Sequence, residues 1–160
     1  MSFSGAVAGG FVGTLVLTTG LRAASELGLT RMDIPFLLGT VFTDERRLAK
    51  AIGYALHFIA GQVFALLYYA VFLAIDESGW LLGAGFGFVH ACFAGSALVN
   101  ILLPAVHPRM GTPDTPAVAN PLLEAPGFMM LNYGRSTPLV SVAVHVAYGS
   151  IVGGFTSMSG

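Results

Sequence analysis

At 160 residues the chain has the length of one domain, yet 55% of it is hydrophobic and only 9% is charged, against roughly 25% charged in an ordinary soluble domain. So few charges cannot cover a soluble surface of this size, and a net charge of −1 supplies no basic field for nucleic acid. The single cysteine, Cys92, excludes an intramolecular disulfide and any paired-cysteine metal site.

The first uncharged stretch runs from Met1 to Leu21, about the 20 residues that a helix needs to cross the hydrocarbon core. No basic residue precedes its apolar run, as a cleaved signal peptide would require, so it reads as a retained span. Arg22 and Arg31 follow, and then Ile34-Pro35-Phe36-Leu37-Leu38-Gly39-Thr40-Val41-Phe42. This segment is too short to span but apolar enough to lie in the membrane interface. The second stretch, Ala51 to Ile75, ends in a tight turn at Asp76-Glu77, and the third covers Ser78 to Val106, with Trp80 as an interfacial anchor. A proline-rich loop then carries Pro104, Pro108, Pro113, Pro116, Pro121 and Pro126, together with Gly127-Phe128-Met129-Met130-Leu131. The two loop segments read as surface caps of the bundle or, more sharply, as a lid over an internal site. The fourth stretch runs from Ser136 to Gly160.

The expected fold is an all-α integral membrane protein, one membrane domain over 1–160 with four transmembrane helices at about 4–24, 51–75, 79–104 and 137–158. All seven basic residues (Arg22, Arg31, Arg46, Arg47, Lys50, Arg109 and Arg135) fall on one side of such a topology, and the Asp76-Glu77 turn lies on the other. The positive-inside rule then predicts a multi-pass protein of the cell membrane with both termini on the non-cytoplasmic side.

The two halves resemble each other. Gly10-Phe11-Val12 is matched by Gly87-Phe88-Val89, and Arg31-Met32-x-x-Pro35 by Arg109-Met110-x-x-Pro113. Ala55-Leu56-His57, with Gly61 four residues beyond the histidine, is matched by Ala143-Val144-His145 with Gly149. Three matches in one order at nearly constant spacing predict a tandem duplication of a two-helix hairpin, with repeats at about 1–76 and 77–160. The halves would be related by a parallel pseudo-two-fold axis along the membrane normal.

Duplication places His57 and His145 at matching depth on helices that run the same way. Each has a glycine one turn deeper, which would leave room for a flat macrocycle ligated from both faces. A b-type haem is the first expectation, with Arg46, Arg47, Lys50 and Arg135 near its propionates. A transition metal at the same pair is the second, with His90 as a third ligand; otherwise there is no cofactor. No carboxylate lies within the spans, which argues against a carboxylate-bridged di-iron centre. His107 reads as an ordinary boundary residue. Structural histidines are the competing reading, since small residues at i+4 spacing are also helix-packing faces.

Three functions follow. The first is a small membrane subunit binding haem or metal for electron transfer. The second is a non-catalytic accessory or scaffold subunit that packs with other membrane subunits or with itself. The third is a small solute or proton channel or carrier. Hydrolytic and nucleotide-binding motifs are absent from the sequence, so the chain does not read as an enzyme by itself.

Overall fold

A computed structural model describes residues 1–110 and 123–158. The second Arg-Met-x-x-Pro motif therefore lies only partly within the described residues, and Pro113, Pro116 and Pro121 lie outside them. Four helices are long and apolar enough to cross a membrane: Phe3–Glu26, Arg46–Ile75, Trp80–Val106 and Thr137–Ser157. No strand occurs among the described residues; Met110 and Leu123 form an isolated parallel bridge.

Helix α1 (Phe3–Glu26) is started by Ser2, whose hydroxyl accepts the Gly5 N–H, the ordinary N-cap arrangement. A short α2 (Ile34–Gly39) is capped by Asp33, with Pro35 in its first turn. Helix α3 (Arg46–Ile75) begins about one turn before the apolar run because the Glu45 carboxylate accepts the Arg47 and Leu48 N–H groups. It ends at Asp76, which sits in the left-handed region at φ 54°. A non-glycine residue there is strained, and its carboxylate lies against the negative end of the helix. Asp76→Gly is therefore expected to stabilise the fold by about 1 kcal/mol, read as a higher midpoint in thermal unfolding in detergent.

The third span is composite. Helix α4 (Trp80–Phe93) passes into a π-helical stretch, Ala94–Leu102, and ends in one α turn, α5 (Leu103–Val106). Within this span the Ser96 hydroxyl donates to the Cys92 carbonyl, and Pro104 has no N–H to give. Both features favour a departure from the i→i+4 ladder. A 3-10 turn, Phe128–Tyr133, follows the loop, and α6 (Thr137–Ser157) completes the chain.

The long helices form a ring in chain order. Helix α1 packs on α3 and α6, and α6 packs on α4. Aromatic contacts close the remaining side, where Phe72 of α3 stacks on Phe86 of α4 at 5.3 Å. The seams differ in kind. Between α4 and α6 the backbones touch: a β-carbon added to Gly83 would meet the Gly149 carbonyl, and one added to Gly87 would meet that of His145. Small residues on both helices permit this approach. Tyr148, Phe72, Met130 and Val152 fill the centre and are fully buried.

The basic residues gather at one end of the bundle, called here the arginine end; Asp76, Glu77, the N-terminus and the end of α6 mark the other. At the arginine end each half reaches across to the other. Arg31 donates to the Asn132 carbonyl and pairs with Glu124 at 3.2 Å, while its backbone N–H donates to the Tyr133 carbonyl. In return the Arg109 guanidinium donates to the Thr40 carbonyl.

His107 completes this crossing. It is buried, not a plain boundary residue: its Nε2–H donates to the Leu37 carbonyl at 3.1 Å, and its Nδ1 accepts the Arg109 N–H at 3.1 Å. Only the neutral ring satisfies both bonds. Burial, with a smaller contribution from the Arg109 charge, lowers the His107 pKa, although the bond to Leu37 opposes it. The folded state then binds fewer protons than the unfolded state below about pH 6.5, so stability rises with pH in that window. His107 is expected to contribute fully above pH 6.5 and progressively less on acidification. Melting curves at pH 7.5 and 5.5 should separate for the wild type and converge for His107→Gln.

Candidate functional site

Each histidine of the expected pair sits inside the bundle on a helix that begins at the arginine end. The Tyr148 hydroxyl of α6 donates to the Gly61 carbonyl of α3, which ties the two helices together. His57 lies four residues before Gly61 and His145 three before Tyr148, so both Cα atoms lie on the arginine-end side of the residues that make this bond. The two rings are half-buried.

Their hydrogen bonds determine their tautomers. The Thr18 hydroxyl donates to the Thr14 carbonyl at 2.7 Å, so its one proton is used. His57 Nδ1, 3.3 Å from Thr18 Oγ1, must then be the donor. His145 Nδ1 lies 2.7 Å from the Ser141 carbonyl, which can only accept. Both rings thus carry the proton on Nδ1, and each Nε2 keeps a bare lone pair. Neither Nε2 atom has a hydrogen-bond partner among the described residues.

His90 differs. Its ring stands edge-to-face with His145 at 4.8 Å between centroids and stacks on Phe64 at 3.7 Å. Its Nδ1 meets the Tyr68 hydroxyl at 3.2 Å. Either group can be the donor in this bond. The structure thus brings His90 against His145 and ties its Nδ1 to a tyrosine hydroxyl, unlike the rings of the pair. Among the described residues no group of three or more His, Cys, Asp or Glu is placed to hold a metal ion.

The remaining expected site residues are distributed unevenly. A β-carbon on Gly61 would collide with Thr14, and one on Gly149 with Gly83 and Gly87. The faces these glycines leave bare are already occupied by neighbouring helices. Lys50 pairs with Asp33 at 3.0 Å, and Arg47 and Arg135 are exposed. Sequence reasoning missed Thr18 and Ser141, the acceptors that set the two rings. Thr14 and Thr18, one turn apart on an apolar helix, are the signal that would have revealed the first.

From the arginine end the site is approached through a cavity of about 30 Å³ lined by Thr18, Arg22, Ser25, Asp33 and Tyr54, with Leu21, Met32, Ile34 and Pro35. Toward the opposite end, Tyr68, Phe72 and Phe86 pack edge-to-face and stacked. No protein-family model, curated protein or solved structure matches the chain.

Proposed function

We propose that this chain is a small integral membrane protein, without enzymatic chemistry of its own, that uses His57 and His145 as a matched pair of imidazole ligands. The observation that carries this reading is the shared tautomer: both rings commit Nδ1–H to fixed acceptors and hold Nε2 free. This is how ligating histidines are prepared, since the second-shell bond orients the ring and raises its basicity. His57 and His145 are the two histidines that the repeat reading pairs, and they share this state.

Of the two cofactor classes, a single transition-metal ion agrees better with the packing than haem. A macrocycle against Gly61 and Gly149 would require α1 to leave α3 and α4 to leave α6. An ion needs no such cradle, and imidazole suits copper, zinc and iron. Two imidazoles leave coordination positions for water or for a ligand from a partner subunit, which is consistent with an accessory role or self-association. Copper or iron at the pair would make the protein an electron carrier for a partner. Metal analysis and visible spectra of protein purified in mild detergent test this: near-stoichiometric metal, lost in both His57→Ala and His145→Ala and kept in His90→Ala, is expected. Metal-free, colourless protein that takes up no added copper, zinc or iron would overturn it.

We read the chain as a tandem duplication about an axis along the bundle. Support comes from the ring order and the crossed contacts of Arg31 and Arg109. The π-helical stretch of the third span has no counterpart in α1, so any symmetry has diverged there. The arginine end is taken as cytoplasmic on the positive-inside rule. Thiol labelling of Met158→Cys in a Cys92→Ala background with an impermeant reagent should succeed from outside intact cells.

A second reading, a packing subunit with structural histidines, is favoured by the glycine contacts that join α4 to α6 and by the His57–Thr18 bond that joins α3 to α1. It predicts loss of assembly, and no metal, in the histidine variants.

A further inference from the structure

A larger recess lies at the arginine end, where the two halves cross. It holds about 140 Å³ and is lined by Arg31, Asp33 and Glu124, the rings of Phe36 and Tyr133, and two leucines. A cavity of about 150 Å³ admits benzene, so this one has room for a short chain of a few heavy atoms. Its charged groups are held in place. Asp33 Oδ1 accepts the Phe36 N–H, and Oδ2 pairs with Lys50 at 3.0 Å. Arg31 uses Nη2 both for the Asn132 carbonyl and for Glu124 Oε2, and the Tyr133 hydroxyl donates to the Glu124 carbonyl at 2.7 Å. Two carboxylates thus line the recess beside one guanidinium, and Lys50 offsets the remaining negative charge. Leu29, Phe128 and Leu131, close in sequence to Arg31 and Tyr133, are large apolar side chains left exposed. They seat this rim in the membrane interface.

We propose that this recess binds the headgroup of an aminoethyl phospholipid, with its ammonium on the Asp33 and Glu124 carboxylates and its phosphate on Arg31. The inference goes beyond the ligand-pair reading and uses none of the histidines. A primary ammonium has three N–H donors and a carboxylate only accepts, so the two form charge-assisted hydrogen bonds. A guanidinium matches phosphate as a planar fork of donors. The ethylene link is apolar, as are the rings and leucines of the remaining wall. The headgroup is neutral overall, which suits a lining whose charge Lys50 brings to zero. A quaternary ammonium suits it less. Such a group cannot donate to a carboxylate and relies on open aromatic faces, whereas the Phe36 ring already has the Arg46 guanidinium 5.7 Å from its centroid. Tyr133 adds no charge, since burial and then the Glu124 carboxylate push its pKa up to about 12.

Native mass spectrometry of the full chain, released from micelles holding equal amounts of phosphatidylethanolamine and phosphatidylcholine, tests the site. The unaltered chain should retain phosphatidylethanolamine several-fold over phosphatidylcholine, and Glu124→Gln should bring the two close to equal. Glu124 is half-exposed in a surface ion pair, whose loss costs little stability, so the variant should melt as the unaltered chain does. Free O-phosphoethanolamine, added to the protein in phosphatidylcholine nanodiscs, separates a lipid source from a soluble one. A raised melting midpoint that Glu124→Gln abolishes, without any preference between the lipids, would keep the headgroup chemistry and overturn the lipid assignment. Equal retention of the two lipids with no response to the free headgroup would overturn the site whether or not the variant folds. A preference for phosphatidylcholine would do the same, as would a phosphatidylethanolamine preference unchanged in a Glu124→Gln protein with native melting.

Discussion

Gly149→Ala should unfold the bundle more readily than the wild type, because it drives apart the seam between α4 and α6. The added β-carbon would lie on the Gly83 carbonyl and 2.8–2.9 Å from the Gly87 backbone nitrogen and Cα. Backbone atoms in two packed helices cannot rotate away as a side chain would, so α4 and α6 must separate. Helix propensity favours alanine over glycine by about 1 kcal/mol, which sets the opposing term. Overpacking of a fixed contact costs about 1–3 kcal/mol or more, and separating the seam also forfeits the neighbouring contacts of Gly153 with Gly79 and Gly83. A net loss of about 2 kcal/mol is expected. The control is Gly85→Ala, on the facing helix α4, where an added β-carbon meets nothing within 4 Å. That variant should melt at or above the wild-type temperature. Equal melting of the two variants would mean that α4 and α6 are not in backbone contact.

Thr18→Val should weaken metal binding by 10–100-fold, the usual effect of losing an outer-shell partner of a ligating histidine, while leaving the fold intact. Valine matches threonine in shape but cannot accept the His57 Nδ1–H. The ring then loses its orientation and its reason to hold the proton on Nδ1. Thr18→Ser keeps the acceptor and should bind metal nearly as the wild type does. A purely structural His57 would produce a different pattern, with lower stability in Thr18→Val and no change in metal content. Titration with copper or zinc against a competing chelator distinguishes the two outcomes.

The membrane architecture could be read from the sequence because lipid imposes a rule that every span must obey: about 20 uncharged residues with all backbone groups satisfied internally. Other features depend on partners that a sequence does not place. The start of α3 lies before the apolar run because Glu45 caps it, and a cap is decided by one side chain's geometry. The π-helical stretch arises from local competition at Ser96 and Pro104 inside a run that looks uniformly helical. Gly61 and Gly149 were visible as bare patches, but whether a bare patch faces a cofactor or a neighbouring helix depends on rotation about the helix axis. Thr14, Gly83 and Gly87 decide it here. His107 shows the same limit from the other direction, since its acceptor at Leu37 is 70 residues away. The repeat pattern drew attention to His57 and His145, but their tautomers were not legible, because they are set by a hydroxyl of α1 and a carbonyl of α6.

The most direct measurement is ¹⁵N NMR of histidine-labelled protein in lipid nanodiscs, first metal-free and then with one equivalent of copper(I) or zinc added. The account predicts that His57 and His145 both carry the proton on Nδ1, and that added metal shifts both Nε2 resonances together. Either histidine protonated at Nε2 in the metal-free protein, or a titration that moves one of the pair without the other, would contradict it.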